Sequence, residues 1–238
     1  MHIDQALLDH AVNTQAGRPV LRLYRWRRPA LSIGVHQRLT DELIARCADR
    51  DVELVRRPTG GTAVVHGDDL TYCVVAPSGN RGVLQAYSWV AEGLIAGLAL
   101  LGIRAEVGSR NPAGRSSSPG ASLAGSSACF AATVGADLQV GGSKICGSAQ
   151  VRRAGWFLQH GSIPLRDGRP LTRELLRHPG PNNSTWLEHL HPGISEDEVA
   201  GSLVAGFESR WGTAGEVSLE MFLPSKAPAG HQSKLILA

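Results

Sequence analysis

The stretch DLQVGGSKICGSAQVRRAGWFLQHGSIPL, residues 137–165, decides the fold class of this chain. Its apolar runs are short, and they are separated by GGS and by RAG, which are turn sequences. The pattern predicts three consecutive antiparallel strands, at 137–140, 144–152 and 156–165. Consecutive hairpins, mixed with helices in irregular order, favour an α+β fold with mainly antiparallel sheets over a doubly wound parallel sheet.

Helices and further strands are predicted on both sides of this stretch. Ser195 followed three residues later by Glu198 is a capping box, which marks the start of a helix. The two strands that flank Pro29 are expected to form a hairpin. Helices are predicted where apolar residues recur at helical spacing, at 4–12, 41–48, 83–101, 171–177 and 195–211. Strands are predicted where apolar residues cluster between turn residues, at 20–26, 31–35, 53–56, 70–76 and 104–107.

One domain over residues 1–222 is the expected organisation, because no linker separates two apolar blocks within the 238 residues. The segment 109–127 is rich in Ser, Gly and Pro, so a flexible insert is expected there. The segment 223–238 is expected to be a flexible C-terminal tail.

The composition argues against several classes of function. The formal charge of +3 comes from scattered basic residues, so no nucleic-acid site is indicated. The longest apolar stretch, 90–103, is shorter than the ~20 residues of a membrane span, and the N-terminal sequence lacks the pattern of a secretory signal. A cytoplasmic protein is therefore expected. The four cysteines have no paired spacing for a disulfide framework or a zinc site, so no metal is expected.

Lys144 stands out because the chain has only three lysines, the others being Lys226 and Lys234, against 21 arginines. A turn lysine is usually solvated, but an isolated lysine at the start of a predicted strand favours a functional role here. A thiol becomes a nucleophile when a nearby cation lowers its pKa from about 8.5, so Cys129 and Lys144 are predicted to form a catalytic pair. Cys146 is a rival nucleophile, although a cysteine is more often a core residue. Two further cysteines are predicted to be core residues, Cys47 and Cys73.

Two further segments could contribute to a binding site. In RRPTGGTAVVHGD, residues 56–68, Gly60 and Gly61 would let the main chain approach an anion or a carbonyl group, although an ordinary glycine turn fits equally well. In LQHGSI, residues 158–163, His160 could relay a proton, although a structural hydrogen bond is more common. Room for an apolar ligand beside the main chain is expected at three small residues, Gly147, Ser148 and Ala149.

Taken in order, these motifs resemble the catalytic domain of the biotin/lipoate protein ligase family. The resemblance is carried by MHIDQALL, LRLYRWRRPALSIGVHQ, RRPTGGTAVVHGDDLTY, ACF, GGSKICGSAQVRR and LQHGSI, and it covers residues 1–165. Within the family, ACF ahead of the lysine motif together with LQHGSI looks most like the cysteine-dependent octanoyltransferases. The resemblance implies the α+β core that the family shares.

The resemblance also implies a ping-pong acyl transfer. An octanoyl group would pass from octanoyl acyl carrier protein to Cys129, whose pKa Lys144 lowers. It would then pass to a lysine of a lipoyl-domain protein or of a glycine-cleavage H-type protein. No ATP, other cofactor or metal is implied. The residues implied to line the acyl site are Arg57, Gly60, Gly61, His66, Gly147, Ser148, Ala149, His160 and Gly161.

The chain departs from the family pattern at three points. The family usually has a strand before the MHIDQALL helix, it commonly has alanine at the position of Cys146, and the insert before Ala128 is unusually long here. The alternatives that stay open are an ATP-dependent lipoate-protein ligase, transfer between lipoyl-type proteins, a biotin ligase and a non-catalytic lipoyl-protein binder. Cys129, and the few residues that follow the core, favour the transferase over the ligase.

Overall fold

Two sheets and six helices make up the described part of the chain in a computed structural model, which describes residues 1–15, 17–108, 137–177, 183–213, 215–217 and 233–237. The strands are β1 (Val20–Tyr24), β2 (Ala30–Ile33), β3 (Glu53–Arg56), β4 (Val64–His66), β5 (Asp69–Pro77), β6 (Glu106–Val107), β7 (Leu138–Val140), β8 (Ser143–Arg153), β9 (Trp156–Pro164), β10 (Gly215–Glu216) and β11 (Ser233–Leu237). The helices are α1 (His2–Thr14), α2 (Asp41–Ala48), α3 (Val83–Leu100), α4 (Arg169–Leu176), α5 (Leu187–Leu190) and α6 (Glu196–Trp211).

The larger sheet has eight strands in the order β10-β11-β1-β5-β9-β8-β7-β6, and its neighbouring strands are antiparallel. The predicted succession β7-β8-β9 is confirmed. Gly141 and Gly142 join β7 to β8 with φ of 56° and 76°, and Ala154 and Gly155 join β8 to β9 with φ of 47° and 81°. Positive φ at both positions of a two-residue loop is the geometry of a tight hairpin turn. The mixture of antiparallel sheet and helices confirms the α+β fold.

The smaller sheet has the strand order β3-β2-β4, with β2 parallel to β3 and antiparallel to β4. The predicted hairpin around Pro29 is therefore wrong, because β1 and β2 belong to different sheets. Both edges of β1 are occupied, by β11 and by β5. Leu31 and Ile33 of β2 are buried in a separate apolar cluster with residues of α2 and α4, which draws β2 away from β1.

Helices α3 and α6 pack closely because glycines line their contact. Gly93 faces the ring of Phe207 and Gly97 faces Leu203, while a Cβ added to Gly206 would lie 2.2 Å from the amide nitrogen of Gly97. Within the described residues, α3 is the one helix whose length and apolar composition would suit a membrane span. In the structure its buried face packs in the core cluster with residues of the larger sheet.

The C-terminal region differs from the expected flexible tail. Ser233–Leu237 forms β11, which lies between β10 and β1 in the larger sheet. Ile236 is buried in the core cluster. The prediction is wrong for these five residues, because the apolar run LIL pairs with β1 despite the Pro- and Gly-rich residues before it. The predicted insert 109–127 and residue Cys129 lie outside the described residues.

Candidate active site

A small cavity of about 30 Å³ is lined by residues of both sheets. Two lining segments, 147–149 and 160–162, lie on the neighbouring strands β8 and β9. The register pairs Ser148 with Gly161 and Ala149 with His160. Gly161 allows this close packing, since a Cβ there would lie 2.5 Å from the carbonyl oxygen of Gly147 and 2.5 Å from the ring of Tyr72. The hairpin β8-β9 thus forms one wall of the cavity.

Most of the residues that the sequence predicted for the acyl site meet at this cavity. The predicted residues that line it are Arg57, His66, Gly147, Ser148, Ala149, His160 and Gly161. Gly60 and Gly61 are not among its lining residues. Ser32, Thr71 and Ser162 also line the cavity, and the sequence analysis did not single them out.

Lys144 lies near this wall in a buried ion pair. Its ammonium Nζ donates to Oδ2 of Asp137 at 2.7 Å, and the two side chains are 1% and 2% exposed. The other oxygen of Asp137 accepts from the backbone N–H of Ser148, which lines the cavity. Main-chain hydrogen bonds with Asn183 and Thr185 hold Lys144 in place. The interpretation of Lys144 as a solvated turn residue is therefore wrong, because a buried charge of this kind needs a dedicated partner.

Arg57 shapes the glycine loop. Its Nη1 donates to the carbonyl oxygen of Ser32 at 3.1 Å and to the Ser32 hydroxyl oxygen at 3.3 Å. Its Nη2 donates to the carbonyl oxygens of Gly60 and Thr62, at 2.9 and 2.7 Å. Gly61 adopts a φ of +92°, a conformation that glycine enters without strain. These contacts fix the loop beside the cavity, and the proposed role of its amides toward a carbonyl group stays a prediction.

His66 is held through both ring nitrogens. Its Nδ1 lies 2.8 Å from Oδ2 of Asp69, and its Nε2 lies 2.8 Å from the hydroxyl oxygen of Ser32. The indole of Trp26 stacks on the ring, with centroids 4.3 Å apart. All three hydrogen-bonding residues are buried. The imidazole is thus fixed in orientation at the edge of the cavity.

Asp69 is the charged end of this chain of hydrogen bonds. It accepts from the hydroxyls of Thr71 and Ser162, at 3.2 and 2.6 Å, and from the backbone N–H of Gly67 at 3.0 Å. Burial raises the pKa of its carboxyl group, but the charge and hydrogen bond of His66 and the other donors outweigh it, so the pKa lies below the ordinary 3.8. Asp69 is therefore a carboxylate at neutral pH.

His160 belongs to a second chain with the same three kinds of group. Its Nε2 lies 2.6 Å from the hydroxyl oxygen of Thr59, and its Nδ1 lies 3.5 Å from Oδ2 of Asp4. Asp4 also forms a buried ion pair with Arg22 and accepts from the hydroxyl of Tyr24 at 2.8 Å. Burial lowers the pKa of His160, and Asp4 only partly offsets it. Burial raises the pKa of Asp4, but the Arg22 charge and the His160 hydrogen bond bring it far below its ordinary range.

The described cysteines are buried. Cys47 and Cys73 are core residues, as predicted, and burial raises the pKa of both thiols. Cys146 is fully buried in the apolar core cluster, with its Sγ 3.9 Å from the hydroxyl oxygen of Ser148. Its environment is that of a core residue. Cys129, the predicted nucleophile, lies outside the described residues.

A larger cavity, of about 240 Å³, adjoins the small one. The two share Val64, His66 and Ser162 in their linings, and many other lining residues of the larger cavity are apolar. At its rim the guanidinium of Arg169 lies 4.5 Å from the ring centroid of Trp186 and pairs with Asp167. The position of His66 between the cavities gives it access to a ligand in either one.

Two carboxylates that hold the site together, Asp69 and Asp137, were not predicted from the sequence. Asp137 lies immediately before β7, the strand that pairs with the strand of Lys144, and this position was the one available signal. Asp69 follows the glycine motif in the run HGDD, and nothing local distinguishes it from Asp68. Among the residues that the structure describes, no group of three His, Cys, Asp or Glu side chains is arranged to hold a metal ion.

This chain is similar in sequence to known proteins of one family. Residues 1–208 match the family model of the lipoyl protein ligase A/B catalytic domain. Octanoyltransferase LipM of Carboxydothermus hydrogenoformans is 42% identical over 171 residues, which are 70% of this chain and 60% of that protein. Octanoyltransferase LipM of Symbiobacterium thermophilum is 37% identical over 221 residues, which are 84% of this chain and 79% of that protein.

A solved structure shows the same fold. The putative lipoate protein ligase Ta0514 of T. acidophilum, with bound lipoic acid, superposes with a TM-score of 0.68 at 24% identity and covers 88% of this chain and 81% of its own. The family model spans most of the sequence, and the relatives and the fold agree with it. This chain belongs to the lipoyl protein ligase A/B catalytic domain family.

Proposed function

We propose that this chain is an octanoyltransferase that moves an octanoyl group from acyl carrier protein to a lysine of a lipoyl-domain or glycine-cleavage H-type protein, through a thioester on Cys129. The observation that carries the proposal is the buried Lys144–Asp137 pair beside a cavity assembled from the predicted acyl-site residues. The identity of 37–42% to proteins named octanoyltransferase supports the choice of acyl group. The role of Cys129 rests on the sequence.

The first half-reaction loads the enzyme. The thiolate of Cys129 attacks the thioester carbonyl of the octanoyl carrier protein, so a C–S bond forms on Cys129 while the bond to the phosphopantetheine sulfur breaks. The proton of the Cys129 thiol ends on the released phosphopantetheine thiol. The charge of Lys144 lowers the pKa of Cys129. Asp137 holds the ammonium in a fixed position, because both groups are buried and neither can turn to solvent.

The second half-reaction transfers the octanoyl group to the acceptor. The lysine amine attacks the thioester carbonyl, an amide C–N bond forms, and the C–S bond to Cys129 breaks. Each step exchanges one acyl bond for another, so the reaction proceeds without ATP and without a metal. Groups that line the small cavity and are held in position would stabilise the developing charge on the carbonyl oxygen.

The loading step provides a direct test of this proposal. Incubation with octanoyl carrier protein and no acceptor is expected to add one octanoyl group to the intact protein, and mass spectrometry should place it on Cys129. Hydroxylamine should remove the adduct, because it is a thioester. Cys146→Ser is the matched control, since it removes a buried thiol, and it should still be loaded.

Two results would overturn the proposal. One is an adduct that persists in Cys129→Ser. The other is acylation of an acceptor lysine only in the presence of octanoate and ATP, which is the result expected of a lipoate-protein ligase.

A further inference from the structure

Two chains of hydroxyl, imidazole and carboxylate groups approach the small cavity. In the first, Ser32 and His66 both line the cavity and Asp69 lies behind them. In the second, His160 lines the cavity, whereas Thr59 is not among its lining residues. The first chain therefore presents a hydroxyl group, backed by an imidazole, to whatever occupies the cavity.

The hydrogen bonds of the first chain have a defined direction. Asp69 is a carboxylate, so it can only accept, and Nδ1 of His66 must donate to it. In the neutral ring, Nε2 then accepts from the hydroxyl of Ser32. Arg57 donates to the same hydroxyl oxygen at 3.3 Å. When Ser32 gives its hydroxyl proton to His66, its oxygen can take up another proton from a group in the cavity. Arg57 stabilises the negative charge that develops on the Ser32 oxygen.

The carboxylate of Asp69 is surrounded mainly by uncharged hydrogen-bond donors. The hydrogen-bond donors to Asp69 other than His66 are the hydroxyls of Thr71 and Ser162 and the amide of Gly67, all of them uncharged. Among the described residues, the one ion-pair partner of Asp69 is His66. The carboxylate of Asp69 thus lies 2.8 Å from Nδ1 of His66 in a buried site and has no second cationic partner among the described residues.

We propose that Ser32, His66 and Asp69 form a proton relay that accepts the proton released when the acceptor lysine attacks the octanoyl thioester. The inference rests on the proposed octanoyl transfer. As the C–N bond forms, the amine proton moves to the oxygen of Ser32 and the hydroxyl proton of Ser32 moves to Nε2 of His66. The C–S bond then breaks, and His66 returns its proton through Ser32 to the departing thiolate of Cys129. The products are the octanoyl amide and the Cys129 thiol, so atoms and charge balance.

The other basic groups at the site are poorer candidates for this step. Lys144 is the cationic partner of Asp137, and an ammonium group has no lone pair to accept a proton. Burial lowers the pKa of His160, which weakens it as a base, and its carboxylate partner Asp4 already neutralises Arg22. Ser32 and His66 are therefore the groups at the cavity that are arranged to accept a proton.

The two half-reactions separate this role from a structural one. Enzyme loaded with octanoyl carrier protein would be mixed with a lipoyl-domain acceptor, and loading and discharge would be timed separately by mass spectrometry. Ser32→Ala and His66→Gln are expected to lower the ratio of the discharge rate to the loading rate by roughly 100-fold, in the range typical of a lost general base. Discharge by hydroxylamine also releases an N–H proton, but the adduct of this weakly basic amine loses that proton to water without help, so its rate should change much less.

Thr59→Ala is the matched control, because it removes the hydroxyl group of the second chain. Its ratio of discharge to loading should equal that of the wild type. A wild-type ratio in Ser32→Ala and His66→Gln, or an equal slowing of discharge by lysine and by hydroxylamine, would overturn the relay. Failure of the wild-type enzyme to load at all would instead refute the proposed octanoyl transfer. Thermal unfolding shows whether each variant folds. If His66→Gln does not fold, the ratio of discharge to loading in Ser32→Ala, the smaller change, decides the question.

Discussion

The two histidine chains beside the cavity contain the same kinds of group but differ in the charge around the carboxylate. Asp4 forms an ion pair with Arg22, and its oxygen lies 3.5 Å from His160. Asp69 has uncharged donors and lies 2.8 Å from His66. The comparison indicates that a His–Asp pair should be interpreted together with the other partners of its carboxylate: Asp4 is shared with a buried arginine, whereas the other donors to Asp69 are uncharged.

The largest expected effect comes from removing each carboxylate in turn. Asp4→Asn leaves the guanidinium of Arg22 buried without its charge partner, so we expect a loss of about 3–5 kcal/mol in the free energy of unfolding. Asp69 pairs with no arginine or lysine among the described residues, so for Asp69→Asn we expect a loss of about 1–3 kcal/mol. Urea unfolding at neutral pH measures both values. Equal losses in the two variants would contradict the contrast between the chains.

A smaller effect is expected in the pH dependence of stability. Burial lowers the pKa of His160 below its ordinary 6.5, so the unfolded chain binds a proton there at a higher pH than the folded chain does. The stability that neutral His160 contributes is complete above pH 6.5 and is lost as the pH falls through the lowered pKa. The carboxylates Asp4 and Asp69 lose their contributions only below their ordinary 3.8.

His160→Gln should therefore reduce the loss in the free energy of unfolding that begins below pH 6.5. The further loss below pH 3.8, which comes from Asp4 and Asp69, should remain. The measurement is the free energy of unfolding in urea at a series of pH values on both sides of 6.5. A variant that loses stability as steeply as the wild type just below 6.5 would show that His160 is not the group responsible.

Much of the fold could be predicted from local sequence patterns. The hairpins β7-β8-β9 have tight turns with glycine, and the capping box of Ser195 and Glu198 starts α6 as expected. The errors concern which strands pair over long distances. The assignment of β2 to the smaller sheet depends on burial against α2 and α4, and β11 pairs with β1 across more than two hundred residues of sequence. Neither relation is visible within a short window.

The candidate site could be predicted only in part, because some of its residues owe their role to contacts between distant segments. Motifs located Lys144, His66, His160 and the small residues of β8, because each lies within a distinctive run. Ser32, Asp69 and Asp137 were missed, because their importance comes from the residues that the fold brings against them. Gly60 and Gly61 were predicted to line the site, whereas the structure places them in a loop that Arg57 holds. The role of Cys129 stays a prediction.

Acyl transfer without ATP is the central property of the proposed enzyme and can be measured directly. The chain would be mixed with octanoyl carrier protein and a lipoyl domain in ATP-free buffer, and the mass of the lipoyl domain would be followed over time. We expect the acceptor lysine to gain one octanoyl group and Cys129→Ser to abolish the gain. An acceptor that stays unmodified under these conditions, but is acylated when octanoate and ATP are supplied, would contradict this expectation.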